Sequence, residues 1–227
     1  MAVTLATMRT EVTGELGLDN TASSADQVRT DLWLNRGVRD VLRKTFCYQD
    51  QITATPGAVS EYALAASVLD IVDLAVTGQV SDPLRATPAQ VRRYLRGSAS
   101  SSGTVQHYAL AGSNMLLFYP TLGAATVIDM LVVPAPTAMT DGAHDVTSAT
   151  YGGIPDDYAY LVELYAKAKL ASFRDDQTSA QGQRYRDEYR EGVAEARREL
   201  QYKGGHRLSP ARLGRRRAVS SDPSVTV

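Results

Sequence analysis

Apolar positions recur with a helical period at both ends of the chain and with a shorter, strand-like period in the middle. The strongest helical stretch is 154–170, where Tyr158, Leu161, Val162, Tyr165, Ala166 and Ala168 form a wide stripe. That stripe is too broad for packing on one flat surface, so partners are expected on two sides. Pro155 suits the first helical position, and Asp156 and Asp157 put negative charge at the positive end of the helix dipole. Lys167 and Lys169 put the opposite sign near the other end. Nearer the N-terminus, Leu5, Met8, Val12 and Leu16 predict a helix over 4–16, capped by Thr4 and stopped by Gly17. A second helix is expected from Ser24 or Asp26 to about Lys44, with Val28, Leu32, Asn35, Val38 and Leu42 sharing its face. Asn35 in that stripe is either a solvated edge residue or a buried amide that fixes how the helix meets its neighbour, because an unpaired buried amide is costly. Tyr185, Tyr189, Val193, Ala196 and Leu200 predict a final helix over about 178–202, after a break at 173–177. Such a helix reaches roughly 35–40 Å, long for a domain of this size. Arg184/Glu188 and Glu195/Arg198 are expected as side-chain pairs along it.

Between residues 47 and 150 the period shortens. Gln51–Thr55 and Glu61–Leu64 read as strands on either side of Pro56-Gly57, and Leu69–Val76 as a third strand. Residues 78–83 read as a loop. Thr87-Pro88 opens a short helix through Leu95. After a Ser-rich spacer over 97–103, His107–Ala111 and Met115–Tyr119 flank Gly112-Ser113-Asn114, a hairpin spacing with glycine in the turn. Ala125–Val133 is a further strand, and 137–153 is a polar loop leading to the Pro155 helix. The pattern predicts an α+β fold. Helices at the two ends (1–46 and 151–203) form a bundle, an antiparallel β region with a short helix (47–150, a small sheet or barrel) is inserted between them, and 204–227 is a basic flexible tail.

Charge sharpens this division. The 227-residue chain has 24 basic and 25 acidic residues, a formal net charge of −1. Residues 203–227 hold six basic residues against Asp222 alone, net +5, so residues 1–202 carry 18 basic and 24 acidic residues, net −6. An acidic body with a basic tail points to a negative partner or a neighbouring subunit for the tail. Its low apolar content cannot bury enough surface to fold alone. The single cysteine, Cys47, allows no internal disulfide and reads as structural. No segment approaches the ~20 apolar residues of a membrane span, and the N-terminus lacks a signal-peptide pattern, so a soluble protein made and used without export is expected.

Candidate chemistry is sparse. His107, His144 and His206 lie far apart without metal-ligand spacing around them. His144-Asp145 is a loop pair for which a metal or an acid/base role is the alternative to a purely local one, and Asp156/Asp157 are explained by capping. Asp175/Asp176 lie in the expected break. There is no nucleophile elbow, phosphate-binding loop or dinucleotide fingerprint. No catalytic, cofactor or metal residues are assigned, and the chain is read as a non-enzyme. Arg92, Arg93 and Arg96 crowd the short helix and read as a solvated face or a contact for an acidic neighbour.

One order of signals is distinctive. It runs from Tyr108-Ala-Leu-Ala-Gly-Ser-Asn-Met-Leu-Leu-Phe-Tyr-Pro120, through a strand ending Val132-Val133-Pro134 and a Thr140-Asp141 loop, to Ile154-Pro155-Asp-Asp-Tyr158 with Leu161 and Tyr165-Ala166. Over about residues 1–202 the chain resembles the head-to-tail adaptor (connector) proteins of tailed bacteriophages. The resemblance implies a virion protein at the head-tail junction, assembled in the host cytoplasm. It implies a homo-oligomeric ring, usually dodecameric, that docks under the portal protein, extends the DNA channel without sequence-specific binding, and meets the next neck or tail protein. The basic tail lies outside the motifs that carry the resemblance. Its Arg207, Arg212, Arg215, Arg216 and Arg217 are the expected contact with portal or a neighbouring subunit. Two other readings stay open: another neck, tail-completion or head-closure protein, and a nucleic-acid-binding regulator using the arginines of the short helix and tail.

Overall fold

The computed structural model describes residues 3–97, 103–174 and 180–205. Among these, the chain is mixed α+β, with five helices and two small sheets. The helices are α1 (Leu5–Leu16), α2 (Ala25–Thr45), α3 (Pro88–Gly97), α4 (Asp156–Arg174) and α5 (Ala180–Gly205). The strands are β1 (Asp50–Ala54), β2 (Glu61–Ala63), β3 (Val68–Val76), β4 (Leu84–Arg85), β5 (His107–Ala111), β6 (Met115–Tyr119) and β7 (Ile128–Pro134).

Local chemistry sets the helix ends. Thr4 accepts from the Thr7 N–H at the start of α1, and Gly17 closes it in the left-handed conformation. Of the two caps expected for α2, Ser24 is the one used, accepting from the Gln27 N–H. Thr87 and Gln90 cap α3 reciprocally: the Gln90 N–H donates to Thr87 Oγ1, and Gln90 Oε1 accepts from the Thr87 N–H. The predicted break at 173–177 falls partly outside the described residues, as do Asp175, Asp176, Thr178 and most of the Ser-rich spacer; α4 itself continues through Arg174.

Two main cores result. One joins α1, α2, α4 and α5 with the 137–153 segment and includes Leu5, Met8, Leu34, Val38, Leu161 and Val162. The wide stripe of α4 meets α2 and α5, and α1 touches it as well. A bidentate Arg9–Asp31 pair, both contacts 2.8 Å, clamps α1 to α2. The second core lies between the sheets, whose strand orders are β1-β7-β3 and β2-β6-β5-β4. Ile71, Leu74, Met130 and Val132 of the first sheet pack with Tyr108, Leu116 and Phe118 of the second.

Three sequence expectations need correction. Val28 and Leu32 are exposed; the buried face of α2 is Leu34, Val38, Val41 and Leu42, with Thr30, Gly37 and Thr45. Small and polar residues let that face approach α4 closely: a Cβ at position 37 would lie 3.0 Å from the Val162 carbonyl oxygen. The strands flanking Pro56-Gly57 belong to different sheets, β1 pairing with β7 and β2 with β6. A parallel strand, β4, occupies residues 84–85 beside β5 just after the predicted loop, and its Arg85 donates to Asp70 and to the Ile71 carbonyl of the other sheet.

Candidate assembly surfaces

Of the residues singled out for chemistry, His144, Asp145 and His107 make local contacts. His144 Nδ1 accepts from the backbone N–H groups of Thr140 and Asp141, and its ring stacks on Tyr151 at 4.1 Å. Asp145 accepts from Thr147, so it is engaged in its own turn. His107 stacks against Tyr94 and Tyr119 on the α3 side of the second sheet. Cys47 is half-buried just after α2, and burial raises its thiol above the ordinary range, which disfavours the reactive thiolate. Among the described residues no cluster of His, Cys, Asp or Glu could hold a metal ion, and no helix is long and apolar enough to cross a membrane. Arg92, Arg93 and Arg96 are exposed on α3. Arg207, Arg212, Arg215, Arg216, Arg217 and His206 lie outside the described residues.

Asn35 is half-buried, and its amide is fully engaged. It donates to the Asp31 and Met139 carbonyls at 2.9 and 3.0 Å and accepts from the Met139 N–H at 2.7 Å. It therefore ties α2 to the 137–153 segment, the second of its two expected roles. That segment looks polar in sequence, yet Met139 and Val146 are completely buried and its backbone is bonded to Val3, Leu5 and Ala6.

Ionisable side chains knit the helices at their edges. Lys167, expected to serve the helix dipole, is buried and pairs with Glu15 of α1 at 2.5 Å, while Tyr185 of α5 donates to the same carboxylate. These two hydrogen bonds hold Glu15 below its usual range. Tyr189 of α5 donates to Asp40 of α2, which also pairs with Lys44 at 2.7 Å. Burial and then that bond to Asp40 drive the Tyr189 hydroxyl strongly upward. Tyr158 donates to Glu199, and burial first, then that bond, raises it to about 12. On the surface of α5, Arg184 and Glu188 pair at 2.7 Å, but Glu195 and Arg198 form no ion pair among the described residues. An exposed pair of this kind barely offsets the entropy of fixing two long side chains.

Glu163 has the opposite problem to Glu15. Burial pushes its carboxyl up to about 6; Lys167 opposes the rise, and Glu11 and Glu15 add to it. The folded state thus holds the proton more tightly than the unfolded chain, whose carboxyl titrates near 4.5. The advantage is complete below that value and is lost as pH rises through about 6. Glu163→Gln is expected to raise stability by about 1 kcal/mol at pH 8, after allowance for solvent screening, and to change nothing at pH 4. Urea midpoints at the two pH values measure this; an equal effect at both would contradict it.

Ionisable contacts thus link the helices of a mixed α+β frame. Residues 3–214 match the SU10 adaptor protein family, and the chain belongs to that family. It is a family of phage head-to-tail adaptors, which makes this chain a structural phage adaptor and a virion component. None of the curated proteins matches it. The family match runs past residue 202, where the stretch covered by the sequence resemblance ends, and takes in Arg207 and Arg212 of the basic tail but not Arg215, Arg216 or Arg217.

Proposed function

We propose that this protein assembles as a closed ring of identical subunits, a dodecamer by the usual stoichiometry of such adaptors, beneath the portal of the capsid. In this reading the ring extends the DNA channel and offers its far side to the next neck or tail protein. The terminal helices (1–46 and 151–203) form the bundle that serves as scaffold, the β-rich insertion (47–150) supplies further contact surface, and 204–227 acts as a separate basic arm. The family match over residues 3–214 carries the reading. The acidic body supports it, because phosphate binding strengthens with each Lys or Arg offered and a channel must let DNA slide.

Within this scheme the tail arginines, Arg207, Arg212, Arg215, Arg216 and Arg217, grip the portal or an adjacent subunit. Deleting residues 206–227 is expected to cut retention on portal-bearing heads by tenfold or more in a co-sedimentation assay. Unchanged retention would remove the docking role from the tail. Weaker binding to free duplex DNA, with retention on heads intact, would move the tail's role to nucleic acid.

A further inference from the structure

We infer that the arginine face of α2 docks on the glutamate face of α5 in a second copy of this chain. The inference rests on the ring reading and names the contact that closes it. Val28 and Leu32, 61% and 46% exposed, begin a row on the side of α2 opposite its buried face. Arg36, Arg39 and Arg43 continue that row at helical spacing, and all three are exposed. Arg36 is held by stacking over Trp33 at 4.7 Å, and Lys169 of α4 approaches the same ring from 5.9 Å, which widens the positive field. The acidic residues of α2 do not neutralise the row: Asp26 is engaged by Arg29, Asp31 by Arg9, and Asp40 by Lys44 and Tyr189. Among the described residues Arg39 and Arg43 have no ion-pair partner.

The complementary face lies on the flank of α5 beside α4. Glu191, Glu195 and Glu199 are exposed and share one row. Tyr160 of α4, 43% exposed, lies alongside and has its hydroxyl raised by burial first and then by Glu195 and Glu199. The helices beneath are closely packed, since a Cβ on Gly192 would fall 2.5 Å from Leu161 Cδ2. At the helical rise, Arg36 to Arg43 spans about 10 Å and Glu191 to Glu199 about 12 Å, so the rows match in length. Each also carries exposed apolar surface, Val28 and Leu32 on one and Tyr160 on the other. The row on α2 points away from its own core, so the α5 row of the same copy cannot cover it. Two different, complementary patches on one chain make a heterologous contact, the kind that closes into a ring when the rotation between copies closes.

The test is a charge swap in the full chain. Arg39→Glu/Arg43→Glu and Glu191→Arg/Glu195→Arg alter exposed side chains, so thermal melting should stay close to that of the unaltered protein. Each variant alone is expected to reduce ring formation on portal-bearing heads, scored by electron microscopy and sedimentation, by tenfold or more. The four substitutions combined in one chain, or a 1:1 mixture of the two variants, should restore assembly to within about threefold. Assembly of the unaltered protein should weaken as salt is raised. Normal assembly by both single-face variants would overturn the contact and leave the adaptor reading standing. So would a combined variant as defective as either parent, or an Arg39/Arg43 variant whose only loss is binding to free duplex DNA. An unaltered protein that fails to form rings on heads would overturn the ring reading and this contact together.

Discussion

Phe118→Ala is expected to destabilise the protein by about 3–5 kcal/mol, the largest effect of any single side-chain truncation proposed here. Phe118 is completely buried on β6, in one cluster with Leu116, Tyr108 and Ile71. Its loss removes apolar burial and leaves a cavity between two sheets that cannot close easily. Each sheet is held by its own ladder, with β6 paired to both β2 and β5. The expected change in melting temperature is about 10 °C for a chain of this size. Calorimetry also asks whether the two cores melt as one. The helical core and the sheet core are separate clusters, joined where β3 meets α2 and where Val133 of β7 enters the helical cluster. A shift of the whole transition means the junction couples them. A shift below 3 °C would contradict the placement of Phe118 at the centre of the sheet core.

The second large effect comes from backbone geometry. Gly153 has φ +62°, and a Cβ there would lie 2.7 Å from the ring of Tyr48. It ends a tight turn in which the Ser148 carbonyl accepts from the N–H groups of Tyr151, Gly152 and Gly153. This turn aims the chain into α4, and the Ile154 N–H then bonds the Val146 carbonyl at 3.1 Å. Gly153→Val combines a left-handed β-branched residue with a clash against an aromatic ring, and about 3 kcal/mol of destabilisation is expected. A second substitution separates the causes. Adding Tyr48→Ala should relieve the steric part, so the cost of Gly153→Val measured in that background should be about half its cost in the unaltered protein. Equal costs in the two backgrounds would place the whole penalty in the backbone conformation.

These positions also show what the sequence made legible. The helix starts and stops could be read because their causes are local: Thr4, Ser24 and Gly17 act within a few residues of the ends they fix. The β5–β6 hairpin was equally readable from its turn. The face of α2 was not. Periodicity gives a spacing but not a direction: of the expected face Val38 and Leu42 are covered, but Val28 and Leu32 are exposed and Leu34 and Val41 are covered in their place. The clue lay in Arg36, Arg39 and Arg43, which extend the Val28/Leu32 row in a register incompatible with burial. Glycines also carry hidden information. Gly37 and Gly192 sit inside helices, where glycine is costly, because α2 and α5 each press closely on α4 at those points. The pairing of β1 and β2 with strands of different sheets could not be read, since it depends on partners 74 or more positions away from β1 and over 50 from β2. Arg207 and the other tail arginines were legible as a charge run and as nothing more.

Whether this adaptor works as a ring under the portal is decided by its mass and shape with and without its template. The purified protein would be measured alone and on portal-bearing, DNA-filled heads by sedimentation and electron microscopy. A closed ring of copies seated beneath the portal in line with the channel is expected. A protein that leaves such heads bare while binding free duplex DNA at moderate salt would contradict it.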